Sequence, residues 1–280
     1  MSARPPQSEF VPVAVIIPCF NSAETVARSV HSVLSQTVLP KQLILVDDAS
    51  DDSGRTLDVL YELEREAKLT IPIVDVIPLA INGGAAVARN SGWEKATQDY
   101  IAFLDADDSW HRDKLRVQFG WMAQHPSAAM TGHQTQVMEK GQETPAIKDD
   151  FFVREVSAQM ILLRNLFPTR TVMMRRNVPF RFECEMRRLE DYHLWLRVIL
   201  DGFSAWRIEL PLAFSYKADY GAGGLSAALW KMEKGELDAY WRLYQLGKFS
   251  FFVLLGLCVW SLVKFARRVV VYMSPAKQSK

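Results

Sequence analysis

Three carboxylates, Asp105, Asp107 and Asp108, follow directly after a run of apolar residues at 100–104. The run has the length and the β-forming composition of a buried strand. Carboxylates crowded at the end of such a strand repel one another and lose hydration unless a cation or hydrogen-bond donors meet them. Oxygen ligands favour Mg²⁺ or Mn²⁺, which bind through one or two carboxylates and add water and substrate phosphates. The pattern indicates a metal site for a phosphate-bearing substrate, and a solvated acidic loop is the alternative.

The composition is that of a globular protein with no overall field for a polyanion. The chain has 280 residues, of which 49% are hydrophobic and 23% charged, and its formal net charge is +1. We therefore expect no nucleic-acid partner. The three cysteines, Cys19, Cys184 and Cys258, are far apart and have no CxxC spacing, which argues against a disulfide framework or a zinc site. Because no secretory signal is evident either, a reducing, cytoplasmic setting fits best.

The elements that would position the acidic loop form a repeated pattern of strand and helix. Apolar, β-branched runs at 13–18, 42–46, 73–79 and 100–104 alternate with segments of helical periodicity. This alternation predicts an α/β fold with a mostly parallel, Rossmann-like sheet flanked by helices. Ligands of such sheets bind at the carboxyl ends of the strands.

Polar residues collect at these predicted strand ends. Asn21 follows the first strand, and its spacing to Glu24 resembles a capping box that would open a helix. Asp47 and Asp48 follow the second strand. After the third, Asn82, Gly83 and Gly84 precede a helix whose N-terminus favours anions and which carries Arg89, a candidate phosphate contact.

Four motifs in this order resemble family 2 of the inverting nucleotide-sugar glycosyltransferases, which have the GT-A fold. They are Val-Ala-Val-Ile-Ile-Pro-Cys-Phe-Asn (13–21), Leu-Val-Asp-Asp-Ala-Ser-Asp-Asp (45–52), Ala-Ala-Val-Ala-Arg-Asn-Ser-Gly (85–92) and Phe-Leu-Asp-Ala-Asp-Asp-Ser-Trp (103–110). A fifth, Arg-Leu-Glu-Asp-Tyr-His-Leu-Trp-Leu (188–196), is similar to the family's acceptor-side motif. The resemblance covers residues 11–216.

The resemblance implies a role for each matching residue. The nucleotide of a donor, usually a uridine diphosphate sugar, would lie against Pro18, Asn21, Asp47 or Asp48, and Arg89. Asp105 would touch the ribose side, Asp107 would hold Mg²⁺ or Mn²⁺ at the diphosphate, and Asp191 would be the catalytic base. Residues 1–120 would form the nucleotide-sugar half and residues 121–225 the acceptor half. The acceptor would be a hydroxyl of a glycan or of a lipid-linked sugar, in cell-surface polysaccharide synthesis.

Glu190 and Asp191 lie at the start of a predicted helix, where its dipole favours the ionised form of both acids. The alternative is that they only cap this helix. Many relatives carry a histidine after the last strand, but the segment 216–226 has none. Lys217 and Asp219 are candidate contacts there, and a flexible linker is the other interpretation.

Residues 226–280 depart from the α/β pattern and predict a helical tail. The tail contains fifteen residues without charge, 249–263, between Lys248 and the basic residues Lys264, Arg267 and Arg268. A membrane span needs about 20 apolar residues, so a helix lying on the cytoplasmic face of the membrane fits better. A buried core helix or a dimer contact is the alternative.

Two rival functions remain open from the sequence. The residues Asp105 to Ser109 loosely match the D-x-D-x-[TV] loop of haloacid-dehalogenase-like phosphatases, in which an aspartate is the nucleophile. That loop usually comes first in the chain, whereas here it follows the fourth predicted strand. The other rival is a catalytically inactive, membrane-bound scaffold, against which the intact acidic motifs argue.

Overall fold

The N-terminal part of the chain forms a parallel sheet of four strands connected by helices. The computed structural model describes residues 10–139, 142, 144–147, 150–216 and 225–273. Its first elements are β1 (Phe10–Cys19), α1 (Val26–Leu34), β2 (Leu39–Asp47), α2 (Arg55–Ala67), β3 (Ile73–Pro78), α3 (Ala85–Lys95) and β4 (Tyr100–Phe103). β1 pairs in parallel with β2 and β4, and β2 pairs in parallel with β3. The four predicted strands are confirmed, and their carboxyl ends lie at one edge of the sheet.

Side-chain alternation along β1 divides the core into two layers. Ala14 and Ile16 face the layer that contains α3 and a later helix, α6 (Glu190–Leu200). Val13, Val15 and Ile17 face the layer that contains α1, α2 and α4 (Lys114–Gln124). All five side chains have no exposed surface. A strand buried on both faces needs apolar residues at every position, which explains the unbroken apolar run in the sequence.

The second part of the chain completes the sheet with a mixed pattern. Its elements are β5 (Asp108–Trp110), α4 (Lys114–Gln124), β6 (Ala128–Val137), β7 (Val153–Glu155), α5 (Ala158–Leu163), β8 (Met173–Arg175), α6 (Glu190–Leu200) and β9 (Ser204–Ser215). The strand order is β3-β2-β1-β4-β8-β6-β9-β5, and β7 pairs with β9. Because β8 is antiparallel to both β4 and β6, and β9 is antiparallel to β5 and β7, the sheet is mixed. β6 and β9 pair in parallel, but the sheet as a whole is mixed, so the expectation of a mostly parallel sheet is met throughout only by its first four strands.

A short 3-10 helix, Thr169–Thr171, precedes β8 where the alternating sequence also suggests a strand. The backbone N–H and the hydroxyl of Thr171 both donate to the carbonyl oxygen of Pro168, each at 2.8 Å. Such local hydrogen bonds from a threonine compete with strand pairing. The turn they form places Thr169 beside the first turn of α6.

Helix α3 lies unusually close to β1. A Cβ atom on Gly92 would be 2.5 Å from Cγ2 of Ile16, so only glycine allows this approach. Gly92 lies one helical turn after Arg89, and the close packing therefore fixes the distance of Arg89 from the sheet.

The C-terminal residues form a pair of helices, α7 (Leu225–Gln245) and α8 (Phe251–Met273). Tyr240, Leu243, Leu254 and Leu257 are buried in the same core layer as α3 and α6. Ion pairs join the two helices, between Arg268 and Glu233 at 2.9 Å and between Lys264 and Glu236. Two of the basic residues that follow the charge-free run 249–263 are therefore paired with α7.

Helix α8 also exposes a row of large apolar side chains, which includes Phe251, Phe252, Leu255 and Val259. Among the residues that the structure describes, no helix combines the length and the apolar character needed to cross a membrane. The helical form of the predicted tail is thus present, and its association with a membrane stays a prediction.

Candidate active site

A cleft of about 390 Å³ opens at the carboxyl ends of β1, β2 and β4. It brings together six of the eight residues singled out in the sequence. The residues that line it are Pro18, Cys19, Phe20, Asn21, Ser22, Thr25, Asp48, Ala85, Ala88, Arg89, Asp105, Ala106 and Asp107. The other two residues, Asp47 and Asp191, do not line the cleft.

Asp47 turns away from the cleft, whereas Asp48 faces it. The Asp47 carboxylate is buried and accepts a hydrogen bond from the hydroxyl of Ser50 at 2.5 Å. Asp48 accepts hydrogen bonds from the backbone N–H groups of Gly83 at 2.8 Å and of Gly84 at 2.7 Å. Of the two acids that the resemblance offered as alternatives, only Asp48 lies at the cleft, and it orders the glycine turn before α3.

Asn21 does not cap α1, and the expected capping box is wrong. Helix α1 begins at Val26, and no side chain bonds to its first turn from the capping position Thr25. Asn21 instead exchanges two hydrogen bonds with Asp51, from Asn21 Nδ2 to Oδ1 of Asp51 at 2.5 Å and from the Asp51 N–H to Oδ1 of Asn21 at 3.0 Å. Its φ of 49° is a strained conformation for a residue other than glycine, of the kind that functional sites retain. Asp51 is a contributor that the sequence did not single out, because the two residues are thirty positions apart.

Arg89 joins the cleft to the start of α6. Its guanidinium donates to Oδ1 of Asp105 and to Oε1 of Glu190, each at 2.8 Å, and its side chain is 7% exposed. Burial disfavours the charged guanidinium, but the Asp105 and Glu190 carboxylates outweigh burial and raise the pKa of Arg89. Arg89 was expected to contact phosphate. In this structure it holds two acids that lie far apart in the sequence, and the pairing role of Glu190 was not foreseen.

The acidic loop after β4 is fixed through its backbone. Arg28 donates to the backbone carbonyl oxygen of Asp107 at 2.5 Å, and the hydroxyl of Ser29 donates to the backbone carbonyl oxygen of Asp108 at 2.8 Å. The Asp108 carboxylate is buried and paired with Arg170 at 3.1 Å, and burial raises its pKa to about 7. Asp108 therefore has a structural partner, while Asp105 and Asp107 lie at the cleft.

The donor set at the cleft suits a hard divalent cation. The described part of the chain has no cluster of three or more His, Cys, Asp or Glu side chains placed to hold a metal. Mg²⁺ and Mn²⁺ need no such cluster, since one or two carboxylates together with water and phosphate oxygens complete their coordination. The carboxylate of Asp107, in a cleft wide enough for a diphosphate, fits this kind of site.

Asp191 lies in the first turn of α6, beside Glu190. The hydroxyl of Thr169 donates to its Oδ2 at 2.8 Å, and the backbone N–H of Tyr192 approaches its Oδ1 at 2.6 Å. Burial raises the pKa of Asp191 to about 6, and the neighbouring Glu190 carboxylate adds to this effect. Burial thus opposes the expected influence of the helix dipole, and the carboxylate is nevertheless mostly ionised near neutral pH. Leu189, just before this turn, has a φ of 56°, which is again strained.

The candidates Lys217 and Asp219 lie outside the described residues. The preceding residue Tyr216 stacks on the guanidinium of Arg28, whose carbon atom is 3.7 Å from the centre of the ring. Its hydroxyl is 2.9 Å from that of Ser109. The end of β9 is thereby tied to the acidic loop.

Comparison with solved structures identifies the same fold in glycosyltransferases. The structure of residues 1–349 of TarS from S. aureus in complex with UDP-GlcNAc has a TM-score of 0.62 and 19% sequence identity, over 81% of this chain and 65% of that one. The chain spans only 39% of the longer TarS chain. The mannosyltransferase PcManGT from Pyrobaculum calidifontis, in complex with GDP-Man and Mn²⁺, has a TM-score of 0.66 and 17% identity, over 95% of this chain and 76% of that one. At these identities the likeness establishes the GT-A type of fold.

Sequence comparison identifies the family. TuaG of Bacillus subtilis (strain 168), which is named for teichuronic acid biosynthesis, is 30% identical over 260 residues, 92% of this chain and 96% of TuaG. The UDP-Glc:alpha-D-GlcNAc-diphosphoundecaprenol beta-1,3-glucosyltransferase WfgD of Escherichia coli is 30% identical over 191 residues, 68% of this chain and 70% of WfgD. The family model described as "Glycosyl transferase family 2" matches residues 14–186, which include every residue of the cleft. The chain belongs to the family 2 glycosyltransferases.

Proposed function

We propose that this glycosyltransferase moves a sugar, with inversion, from a uridine diphosphate sugar to a hydroxyl of a glycan or lipid-linked acceptor in cell-surface polysaccharide synthesis. The names of its relatives support this reading. WfgD is named for a UDP-glucose donor and a diphosphoundecaprenol acceptor, and TuaG for teichuronic acid biosynthesis. Family membership leaves the phosphatase and the inactive scaffold without support.

The observation that carries the proposal is the double pairing of Arg89. One partner, Asp105, lies in the cleft, and the other, Glu190, is the immediate neighbour of Asp191. Because a single buried guanidinium holds both, the first turn of α6 is fixed next to the site where the donor would bind. A base and an activated sugar must lie this close for the acceptor hydroxyl to reach both.

The cleft residues divide the recognition of the donor among them. Phe20, which is 47% exposed at the cleft, offers a ring face to the nucleobase, and Pro18, Asn21 and Asp48 shape the nucleotide pocket. Asp105 lies on the ribose side. A Mg²⁺ or Mn²⁺ ion held by Asp107, when bound, would neutralise the charge of the departing diphosphate. The Mn²⁺ complex of the structural neighbour PcManGT supports the use of a divalent ion in general.

Asp191 acts as the general base. One of its carboxylate oxygens accepts the proton of the acceptor hydroxyl, while the hydroxyl oxygen forms a bond to the anomeric carbon of the donor sugar. The bond from that carbon to the diphosphate oxygen breaks on the opposite face, and the diphosphate leaves with the electron pair. A single displacement of this kind inverts the configuration and forms no sugar-enzyme bond. A pKa of about 6 leaves Asp191 ionised at pH 7 and basic enough to take the proton.

The division of labour along the chain is part of the proposal. Residues 1–120 bind the nucleotide sugar, residues 121–225 bind the acceptor, and residues 226–280 associate peripherally with the cytoplasmic face of the membrane. The exposed apolar row on α8 supports the membrane contact, because it would lie against the acyl chains while the catalytic domain stays in the water phase.

The substitution Asp191→Asn tests the mechanism, because it keeps the size and the capping ability of the side chain but removes the base. Donors are first chosen by screening UDP and GDP sugars for thermal stabilisation with Mn²⁺. We expect the variant to lose about 10²–10⁴-fold in nucleotide release, the range of general base catalysis, with donor affinity unchanged. Asp58, also an acid in the first turn of a helix, provides the matched control Asp58→Asn.

Retained turnover in Asp191→Asn would contradict the role of the base. So would a product that keeps the anomeric configuration of the donor, measured by NMR of the released sugar. If Asp191→Asn keeps its turnover and its stability, and Asp191→Ala loses about 1 kcal/mol of stability but little activity, the acid only caps the helix.

A further inference from the structure

The last turn of α5 collects hydrogen bonds from three other helices. The hydroxyl of Tyr192 on α6 donates to the carbonyl oxygen of Ile161 at 2.7 Å, and that of Tyr240 on α7 to the carbonyl of Leu162 at 2.8 Å. On α8, Trp260 Nε1 and Lys264 Nζ each lie 3.2 Å from the carbonyl oxygen of Leu163. The last carbonyls of a helix have no partner within it, so these side chains satisfy groups that would otherwise lack one.

The same side chains form a continuous polar chain from the C-terminal helices to α6. The hydroxyls of Tyr192 and Tyr240 are 3.3 Å apart, and the Tyr240 hydroxyl lies 2.9 Å from Oε1 of Glu236, which is paired with Lys264. Tyr192, Tyr240 and Glu236 are all buried. Burial raises the pKa of both phenols, so both hydroxyls keep their hydrogen near neutral pH. Each hydroxyl has one hydrogen to donate, so the other contacts of its oxygen are polar contacts rather than further donated bonds. A buried polar network of this kind restricts the motion of its members.

This chain ends at the proposed base. Tyr192 directly follows Asp191, and its backbone N–H approaches Oδ1 of Asp191 at 2.6 Å, so a shift of Tyr192 moves the backbone that carries Asp191. We infer that Tyr240 is a positioning residue, which fixes the first turn of α6 through the Tyr192 hydroxyl and thereby holds Asp191 toward the acceptor. The inference rests on the proposed role of Asp191, and it gives Tyr240 on α7 a supporting role at the active site.

The contribution expected of Tyr240 concerns orientation. Tyr240→Phe keeps the buried ring but removes one of the two donors near the Leu162 carbonyl, which keeps only the Tyr192 hydroxyl at 3.1 Å. It also leaves the Tyr192 hydroxyl without its neighbour. Tyr192 can then shift within its pocket, and Asp191 shifts with it. A displacement of about 1 Å can lower a rate by roughly 100-fold, without any change in how the donor is bound.

The matched control lies one helical turn further along α7. Tyr244 packs through its ring against Trp241 and Phe251, and Tyr244→Phe makes the same chemical change outside the polar chain. We would measure nucleotide release from the UDP sugar that the full-length enzyme hydrolyses fastest, together with the dissociation constant of that donor and the melting temperature. Tyr240→Phe should lower kcat by roughly tenfold or more, with the donor dissociation constant within about twofold of the parent value. Tyr244→Phe should leave both constants near those of the parent.

A double-mutant cycle with Tyr192→Phe provides the second measurement. If the two hydroxyls act as a unit, the double variant should lose no more activity than the worse single variant. The inference is overturned if Tyr240→Phe and Tyr244→Phe have the same kcat, if the losses of the two hydroxyls add, or if donor binding falls in parallel with kcat. Asp191→Asn in the same assay separates the two levels. If Asp191→Asn keeps its activity, the proposed base and this inference are both overturned. If Asp191→Asn loses its activity but Tyr240→Phe has the activity of the parent, only this inference is overturned.

Discussion

Thr169 donates its hydroxyl hydrogen to Oδ2 of Asp191 at 2.8 Å, across 22 positions of the sequence. Thr169 is buried, and the 3-10 helix that carries it is held by Thr171 and Pro168. A hydrogen bond to a carboxylate favours its ionised form. Thr169 therefore lowers the pKa of Asp191, against burial and the nearby Glu190, which raise it to about 6.

We expect Thr169→Val to move the pH dependence of catalysis upward. The base works when Asp191 is ionised, so kcat falls as the pH drops through about 6. Loss of a hydrogen bond to a charged group, worth about 1.5–3 kcal/mol, raises the pKa by roughly one unit or more. Arg89 and Glu190, the other charged groups facing Asp191, are unchanged in the variant. The acidic limb of the profile of kcat against pH should thus lie roughly one unit higher.

Thr169→Ser keeps the hydroxyl and is the control, with a profile expected to match that of the parent enzyme. If the acidic limb of the pH profile does not move in Thr169→Val, the limb does not reflect the ionisation of Asp191.

Replacement of Asp107 tests the metal assignment. Asp107→Ala removes a carboxylate from the cleft, and a metal that stabilises the leaving diphosphate contributes several kcal/mol, so activity should fall by at least about 100-fold. EDTA should inhibit the parent enzyme, and Mn²⁺ should restore its activity. Nucleotide release and Mn²⁺ affinity from isothermal titration calorimetry are the measurements.

Asp99→Ala is the matched control for this variant, because Asp99 is exposed and lies at the opposite end of β4. Both variants should melt near the temperature of the parent protein. Full activity of Asp107→Ala in Mn²⁺, or a parent enzyme indifferent to chelation, would remove Asp107 from the metal site.

The apolar row on α8 predicts binding to lipid vesicles. Phe252 is 82% exposed and Leu255 52% exposed, whereas Leu254 and Leu257 on the same helix are buried in the core. Truncation would therefore remove core residues together with the surface. The double substitution Phe252→Asp with Leu255→Asp changes only the surface, and each apolar side chain contributes about 1.5–3 kcal/mol when fully buried. Sedimentation with vesicles should fall sharply, with the melting temperature little changed.

Leu69→Asp, at an exposed position far from this surface along the chain, is the control and should sediment like the parent. If the parent protein never sediments with vesicles but forms a dimer that the double variant lacks, the row is a contact between two copies of the chain.

The first half of the fold could be predicted from the sequence because its signals are local. Each strand of the parallel sheet is a short apolar run, and each helix follows it with its own periodicity. The antiparallel part could not be predicted. β8 has only three residues, and its pairing with β4 and β6 depends on contacts between distant segments.

The site was predictable in its residue types and not in its pairings. Asp47 is the last residue of β2 and Asp48 follows it, and the choice between them depends on the direction in which each side chain leaves the strand end. The pairings of Asn21 with Asp51, of Thr169 with Asp191 and of Arg89 with Glu190 join residues from different elements. On α8, Lys264 and Arg268 suggested a free basic flank, but their α7 partners lie about thirty positions earlier in the sequence. A one-dimensional pattern contains no record of such partners.

The position of β8 between β4 and β6 has a consequence for dissection of the enzyme. The proposed nucleotide-sugar half ends near residue 120, but the open edge of β4 is covered by a strand from the other half. A fragment cut at this boundary would expose unpaired backbone groups along β4, which is a template for aggregation. The two proposed halves would therefore bind different substrates but belong to one cooperative folding unit. Neither is expected to be recovered as an independent soluble fragment.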